Sequence, residues 1–159
     1  MKYLYYPGCS LEGTAREYDI STRSLMQATG AELIDIDGWT CCGASAAEPI
    51  SHLLSLALPA RNIALAEKND ISDNILVPCS ACYLNLKKVT ETVKKDPETL
   101  STINSILAEE DLQVGHRIKV RHLLDILAND IGAHAVKEKI KNSFSDFTIA
   151  PYYGCLLYT

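Results

Sequence analysis

Short apolar runs alternate along the chain with longer stretches whose apolar positions recur every three or four residues, a pattern of strands feeding helices. Lys2 to Tyr6 is short, aromatic and apolar, and Pro7-Gly8 stops it, which predicts a first strand. From Glu12 to Thr29, apolar or small residues fall at Ala15, Tyr18, Leu25, Met26 and Ala28, and Gly30 stands where a helix would close. Leu33, Ile34 and Ile36 mark a second strand over Ala31–Asp37, running into Gly38-Trp39-Thr40. Ala46–Asn69 is rich in Leu and Ala and reads as a helix, with Pro49 near its start and Pro59 marking a kink or a restart. Asn74–Val77 is a third strand, ended by Pro78. Further helices are expected over Tyr83–Lys95, from Pro97 through Leu107, over Arg121–Asp130 and over Ala133–Asn142, with short strands at Ile118–Val120 and Phe147–Tyr153. This alternation predicts an α/β fold: an open, mainly parallel sheet flanked by helices.

The cysteines fall at the ends of the first three strands. Cys9 follows the first, Cys41-Cys42-Gly43 the second, and Cys79-Ser80-Ala81-Cys82 the third, so five of the six cysteines form one pattern. In an open parallel sheet the C-terminal ends of the strands lie along one edge, where such folds bind ligands. Residues far apart in sequence are thus expected to meet there. Helices starting just after Cys9 and at Cys82 would aim backbone N–H groups at the site, which offsets clustered thiolate charge. Adjacent cysteines bond to each other only with strain, and outward-bonding pairs belong mostly to small secreted frameworks. Soft thiolates converging from three loops suit a metal cluster better.

Bulk properties narrow the classes. The chain has 159 residues, about one domain, and can bury a core without disulfides. Lys plus Arg number 15 against 20 for Asp plus Glu, a formal charge of -5 spread along the chain, which argues against a nucleic-acid or anionic-membrane surface. The longest apolar stretch, Leu53 to Leu65, is broken by Ser55, Pro59, Arg61 and Asn62, so no direct membrane span is expected. The opening Met1 to Pro7 lacks the long apolar region of a secretory signal, and the reading is a cytoplasmic protein with reduced thiols. Other readings of the cysteines remain: a thioredoxin-like pair for the CxxC alone, a zinc site using four of the five, or buried inert thiols. His52, His116, His122 and His134 are expected to fill surface or core roles, and Tyr5, Tyr6, Trp39 and Tyr83 to be wall and core.

Tyr6-Pro7-Gly8-Cys9 is echoed by Tyr152-Tyr153-Gly154-Cys155, each an aromatic strand running into Gly-Cys. The expected division is one domain over residues 1–145 and, over 146–159, the first strand of a truncated second copy.

The spacing of Cys9, Cys41-Cys42-Gly43 and Cys79-Ser80-Ala81-Cys82 resembles the cysteine-rich CCG domain that occurs twice in the B-type subunit of heterodisulfide reductase. Related iron-sulfur subunits of glycolate oxidase, lactate-utilisation complexes, glycerol-3-phosphate dehydrogenase and some succinate dehydrogenases and fumarate reductases share it. Val120-Arg121-His122-Leu123-Leu124-Asp125 also resembles the stretch that precedes the second domain in those proteins. The resemblance implies a 4Fe-4S cluster, of the noncubane type built from two fused smaller units, with Cys9, Cys41, Cys42, Cys79 and Cys82 as ligands. It implies an oxidoreductase subunit that takes part in reducing the mixed disulfide of coenzyme M and coenzyme B, with two clusters facing one another. Electrons would come from a ferredoxin-like iron-sulfur partner within a complex that also has a flavin subunit. Cys155 would belong to the second site, so this chain alone would not complete the reaction. The alternative is an electron-transfer or zinc-stabilised module of a flavin-linked hydroxy-acid, glycerol-3-phosphate or succinate dehydrogenase complex.

Overall fold

Four of the apolar runs become strands of four residues each: β1 (Lys2–Tyr5), β2 (Glu32–Asp35), β3 (Asn74–Val77) and β4 (Lys119–His122). The structure is a computed structural model that describes residues 1–143 and 145–150. The strands are all parallel and lie in the order β2-β1-β3-β4, with Lys2 opposite Glu32, Leu4 opposite Ile75, and Ile75 opposite Val120. Leu4, Tyr5, Ile75, Leu76 and Val77 are fully buried, as central strands covered on both faces require. The chain runs from β1 outward to β2, then crosses back to β3 on the other side. The order therefore reverses between β1 and β3, and loops leaving their C-terminal ends diverge around a crevice.

The helices α1 (Cys9–Glu12), α2 (Arg16–Ala28), α3 (His52–Glu67), α4 (Ser80–Lys95), α5 (Pro97–Leu107), α6 (Leu123–Ile126) and α7 (Ala133–Glu138) complete the described chain. Side chains alternate across the sheet with period two, so each face builds its own core. Leu4, Ile75 and Val77 pack with Leu56 and Ile63 of α3, and with Leu86 of α4. Tyr3, Tyr5 and Leu76 pack on the other face with Met26 of α2 and Ile126 of α6.

Several boundaries differ from the sequence expectation, each for a local reason. The helix expected over Glu12–Thr29 is split: α1 closes at Gly13, whose N–H bonds Cys9 O at 3.0 Å, and α2 starts only at Arg16. Residues 44–50 form turns, and α3 begins at His52, where the Ser51 side chain accepts the Leu54 N–H. Pro59 lies inside α3 without ending it, because its ring is buried with the Leu and Ala side chains of that helix. The last strand takes in Arg121 and His122, which were expected to be helical: pairing of Leu76 with Arg121 and Val77 with His122 prevails over local propensity. The helix after it is one turn, α6, followed by a π-type turn over Leu127–Ile131. The helix expected over Ala133–Asn142 stops at Glu138. Of the strand expected over Phe147–Tyr153, residues 147–150 are described and are not a strand; Tyr152 to Cys155 lie outside the described residues. No helix among the described residues is long and apolar enough to cross a membrane.

A polar tie holds β1 and β4 to the π-type turn. Tyr3 donates to Asp130 at 2.7 Å, and the Arg121 guanidinium binds Asp130 at 3.0 Å and also Asp125. The Tyr3 hydroxyl and then Arg121 hold the Asp130 carboxyl below the usual carboxylate range, and Arg121 does the same for Asp125. A carboxyl depressed on folding stabilises the fold above its unfolded pKa, about 3.9 for aspartate, and that contribution is lost as pH falls through the lower folded value. Stability measured by urea unfolding should therefore drop below about pH 4, and Asp130→Asn should flatten that acid limb. A limb unchanged in the variant would remove Asp130 from the account.

Candidate metal centre

Three loops bring the five cysteines to one edge of the sheet. Cys9 opens α1 directly after β1, Cys41 and Cys42 follow β2, and Cys79 is the N-cap of α4, which starts within the CxxC so that Cys82 falls in its first turn. Cys42 Sγ lies 3.4 Å from Cys82 Sγ, and Cys9 Sγ lies 3.8 Å from Cys41 Sγ. Cys79 stands close enough to Cys82 to accept its thiol hydrogen. Burial is graded: Cys42 and Cys82 are 1% and 3% exposed, Cys79 is intermediate, and Cys9 and Cys41 face solvent. The site is thus anchored in the core and open on one side.

Its protonation follows from this geometry. Cys82 donates to both Cys42 and Cys79, and these two acceptors, with burial, drive its own pKa far up. Cys42 is lowered to about 7, chiefly by the Cys82 thiol, with help from the Ala44 backbone and Asn85 against the cost of burial. Cys79 is lowered to about 6, first by the Cys82 thiol and then, against burial, by the backbone N–H groups of Cys82 and Ala81. Burial, then the hydrogen bond with Cys41, raises Cys9. Three sulfurs therefore share one proton, held on Cys82 between two thiolates.

The expected wall residues take that part. Trp39 meets the Tyr6 ring edge-on at 5.2 Å, and Tyr83 meets His122 at 5.5 Å. His52, His116 and His134 are exposed and His122 is buried, in keeping with surface and core roles. The sequence reading missed Asn85, which donates to Cys42 O at 3.3 Å and reaches its Sγ at 3.9 Å. It also missed Asn62, fully buried in α3 and bonded to the peptide before Cys41. The only signal in the sequence was an amide in each of two otherwise regular helices.

A metal-sulfur group suits these residues on three observations. All five candidate donors are soft sulfurs, which suits iron-sulfur units or zinc. A Cβ at Gly8 would stand 2.8 Å from Cys82 Sγ, so that glycine leaves the room the sulfur occupies. The Thr40 hydroxyl, one residue before the pair, is buried without a hydrogen-bond partner among the described residues. Among the described residues, no group of three or more His, Cys, Asp or Glu side chains is arranged to hold a metal ion.

The family model of the cysteine-rich domain, CCG, matches residues 3–87, a span that contains all five of these cysteines. The chain belongs to the CCG cysteine-rich domain family. A protein of Wolinella succinogenes, 8-methylmenaquinol:fumarate reductase membrane anchor subunit, is 33% identical to this CCG chain over 97% of its length and 52% of that protein. A heterodisulfide reductase B-like subunit protein of Archaeoglobus profundus is 31% identical over 98% of this chain and 52% of its own length. The CCG chain thus spans about half the length of the curated relatives it matches. A crystal structure of a hypothetical protein from Helicobacter pylori covers 77% of this chain and 24% of its own with a TM-score of 0.64 and 21% identity, a likeness of fold alone.

Proposed function

We propose that this CCG domain holds an iron-sulfur cluster between its three cysteine loops and serves as the redox subunit of a multi-subunit reductase. The observation that carries this reading is the convergence of Cys9, Cys41, Cys42, Cys79 and Cys82 from the ends of β1, β2 and β3 onto one sheet edge. These five are the proposed ligands. Four thiolates satisfy an ordinary cubane; a fifth is of use where one sulfur bridges two irons, which favours the noncubane 4Fe-4S form. Such a cluster supplies single-electron transfer. The chain's own part is to bury the Cys42 and Cys82 side, to leave the Cys9 and Cys41 side accessible, and to set α4 with its backbone N–H groups toward the thiolates.

The relatives named as B-type proteins of heterodisulfide reductase support, as the partner reaction, reduction of the coenzyme M and coenzyme B mixed disulfide, with a ferredoxin-like iron-sulfur subunit and a flavin subunit supplying electrons. The fumarate reductase relative supports a second reading, an electron-transfer module of a complex acting on a dicarboxylic acid. The echo of Tyr6 to Cys9 in Tyr152 to Cys155 supports one CCG unit over residues 1–145 and the opening of a second over 146–159. Reduced thiols in this number suit the cytoplasmic side of the cell.

Iron, acid-labile sulfide and zinc analysis after anaerobic purification tests the cluster. The expected result is iron with matching sulfide; zinc alone at about one per chain, the structural stoichiometry, would contradict it. Turnover of the assembled complex with the mixed disulfide or with fumarate, each as sole acceptor, separates the two readings.

A further inference from the structure

Two of the three cysteine loops are held at the residue that precedes the cysteine, and by the same device. Ahead of Cys41-Cys42, the Thr40 N–H donates to Asn62 Oδ1 at 2.8 Å, and the Thr40 carbonyl accepts from Asn62 Nδ2 at 2.9 Å and from the Tyr6 hydroxyl at 2.7 Å. Asn62 spends its remaining N–H on Leu58 O at 3.2 Å, within its own helix. Its amide is thereby committed in full, and the Oδ1 and Nδ2 positions are fixed by their partners. A buried amide in a Leu- and Ala-rich helix is costly unless bonded in this way, so packing alone gives no reason for it.

Ahead of Cys79, the Pro78 carbonyl accepts from His122 at 3.0 Å and from the Tyr18 hydroxyl at 3.3 Å. Proline has no N–H, so its carbonyl is the one backbone group by which this residue can be tied. His122 ends β4 opposite Val77, which brings its ring beside the loop. Its tautomer follows from its neighbours. Nδ1 accepts the Leu124 N–H at 3.2 Å and carries no proton, while Nε2 faces a carbonyl, which only accepts, and so bears the hydrogen. The ring also abuts Tyr83 of α4, the helix that carries Cys82.

We propose that Asn62 and His122 are positioning residues for the metal centre: by clamping Thr40 and Pro78 they fix the separation of the Cys41-Cys42 and Cys79-Cys82 sulfurs that the cluster must bridge. This rests on the cluster reading above, although the clamps themselves are a property of the chain. Neither residue is a proposed ligand, and they reach the two loops from different elements, α3 and β4. Partners that orient ligands in this way typically govern metal retention by about 10- to 100-fold.

The test uses the full chain in metal-free and anaerobically reconstituted forms. His122→Phe keeps a ring against Tyr83 and removes both hydrogen bonds, His122→Gln restores a donor, and Asn62→Ala removes the other clamp. In the metal-free form, diamide takes up the two thiol hydrogens as Cys42 and Cys82 form a disulfide, and peptide mapping gives its rate. His122→Phe and Asn62→Ala should slow this pairing and shorten iron retention against a chelator by about 10-fold or more at unchanged circular dichroism. His122→Gln should recover most of both, and the cluster's midpoint potential should move in the clamp variants and return with the rescue. Nitrogen-15 shifts of the wild-type imidazole should report the Nε2–H form. Pairing and retention unchanged in both folded variants would overturn the proposal. If either variant does not fold, Tyr6→Phe and Tyr18→Phe each remove one donor from the same carbonyls, and wild-type behaviour in both would likewise overturn it. Wild-type protein without iron would fail the cluster reading alone, since the pairing rate still reports on the clamps.

Discussion

Cys82→Ser leaves a folded chain that no longer retains iron. Serine has nearly the shape of cysteine and can donate the same hydrogen bond to Cys42, whose sulfur lies 3.4 Å away, so the buried contacts of the site are kept. What is lost is a soft anionic donor: a serine hydroxyl stays protonated at neutral pH and binds iron poorly. Cys82 is also the most central of the five, in contact with both Cys42 and Cys79. Iron per chain after anaerobic reconstitution should fall by at least about 10-fold, with the circular dichroism spectrum and urea midpoint near those of the parent. Full iron content in this variant would remove Cys82 from the ligand set.

Gly43→Ala is the second large effect, and it acts on folding. Gly43 has φ +73, and an added Cβ would lie 2.8 Å from Ala47 Cβ and 2.8 Å from Leu58 Cδ1. The left-handed backbone costs an alanine about 1–2 kcal/mol, and overpacking of this kind about 1–3 kcal/mol. The sum, about 2–5 kcal/mol, is a large part of the stability of an ordinary domain. Gly38 separates the two contributions. Its φ is +71 but nothing lies within 4 Å of an added Cβ, so Gly38→Ala should cost only the backbone part. Urea unfolding of both variants checks this, and equal losses would show that the contacts of Gly43 contribute nothing.

The fold class and the meeting of the cysteines were legible because they depend on period and order. Apolar runs bounded by Pro7-Gly8 and Pro78 mark strands whatever lies around them, and cysteines at the ends of successive parallel strands must share an edge. What the sequence did not carry was tertiary in origin. Arg121 and His122 read as helical by neighbourhood, yet pairing with Leu76 and Val77 draws them into the sheet. Pro59 reads as a break, yet burial of its ring lets α3 run through. Asn62, Asn85 and His122 look like ordinary helix or core residues until the loops they bond are folded against them. A local pattern cannot reveal a partner that lies 22 residues away for Asn62 or 44 residues away for His122.

X-ray absorption at the metal edge of the anaerobically loaded chain tests the central claim most directly, since it reports which atoms surround the metal. Iron bound by sulfur at about 2.3 Å, with a second iron within about 3 Å, is the expected spectrum for thiolates gathered around one cluster. A lone zinc ringed by four sulfurs, or iron bound by oxygen and nitrogen with no neighbouring iron, would contradict it.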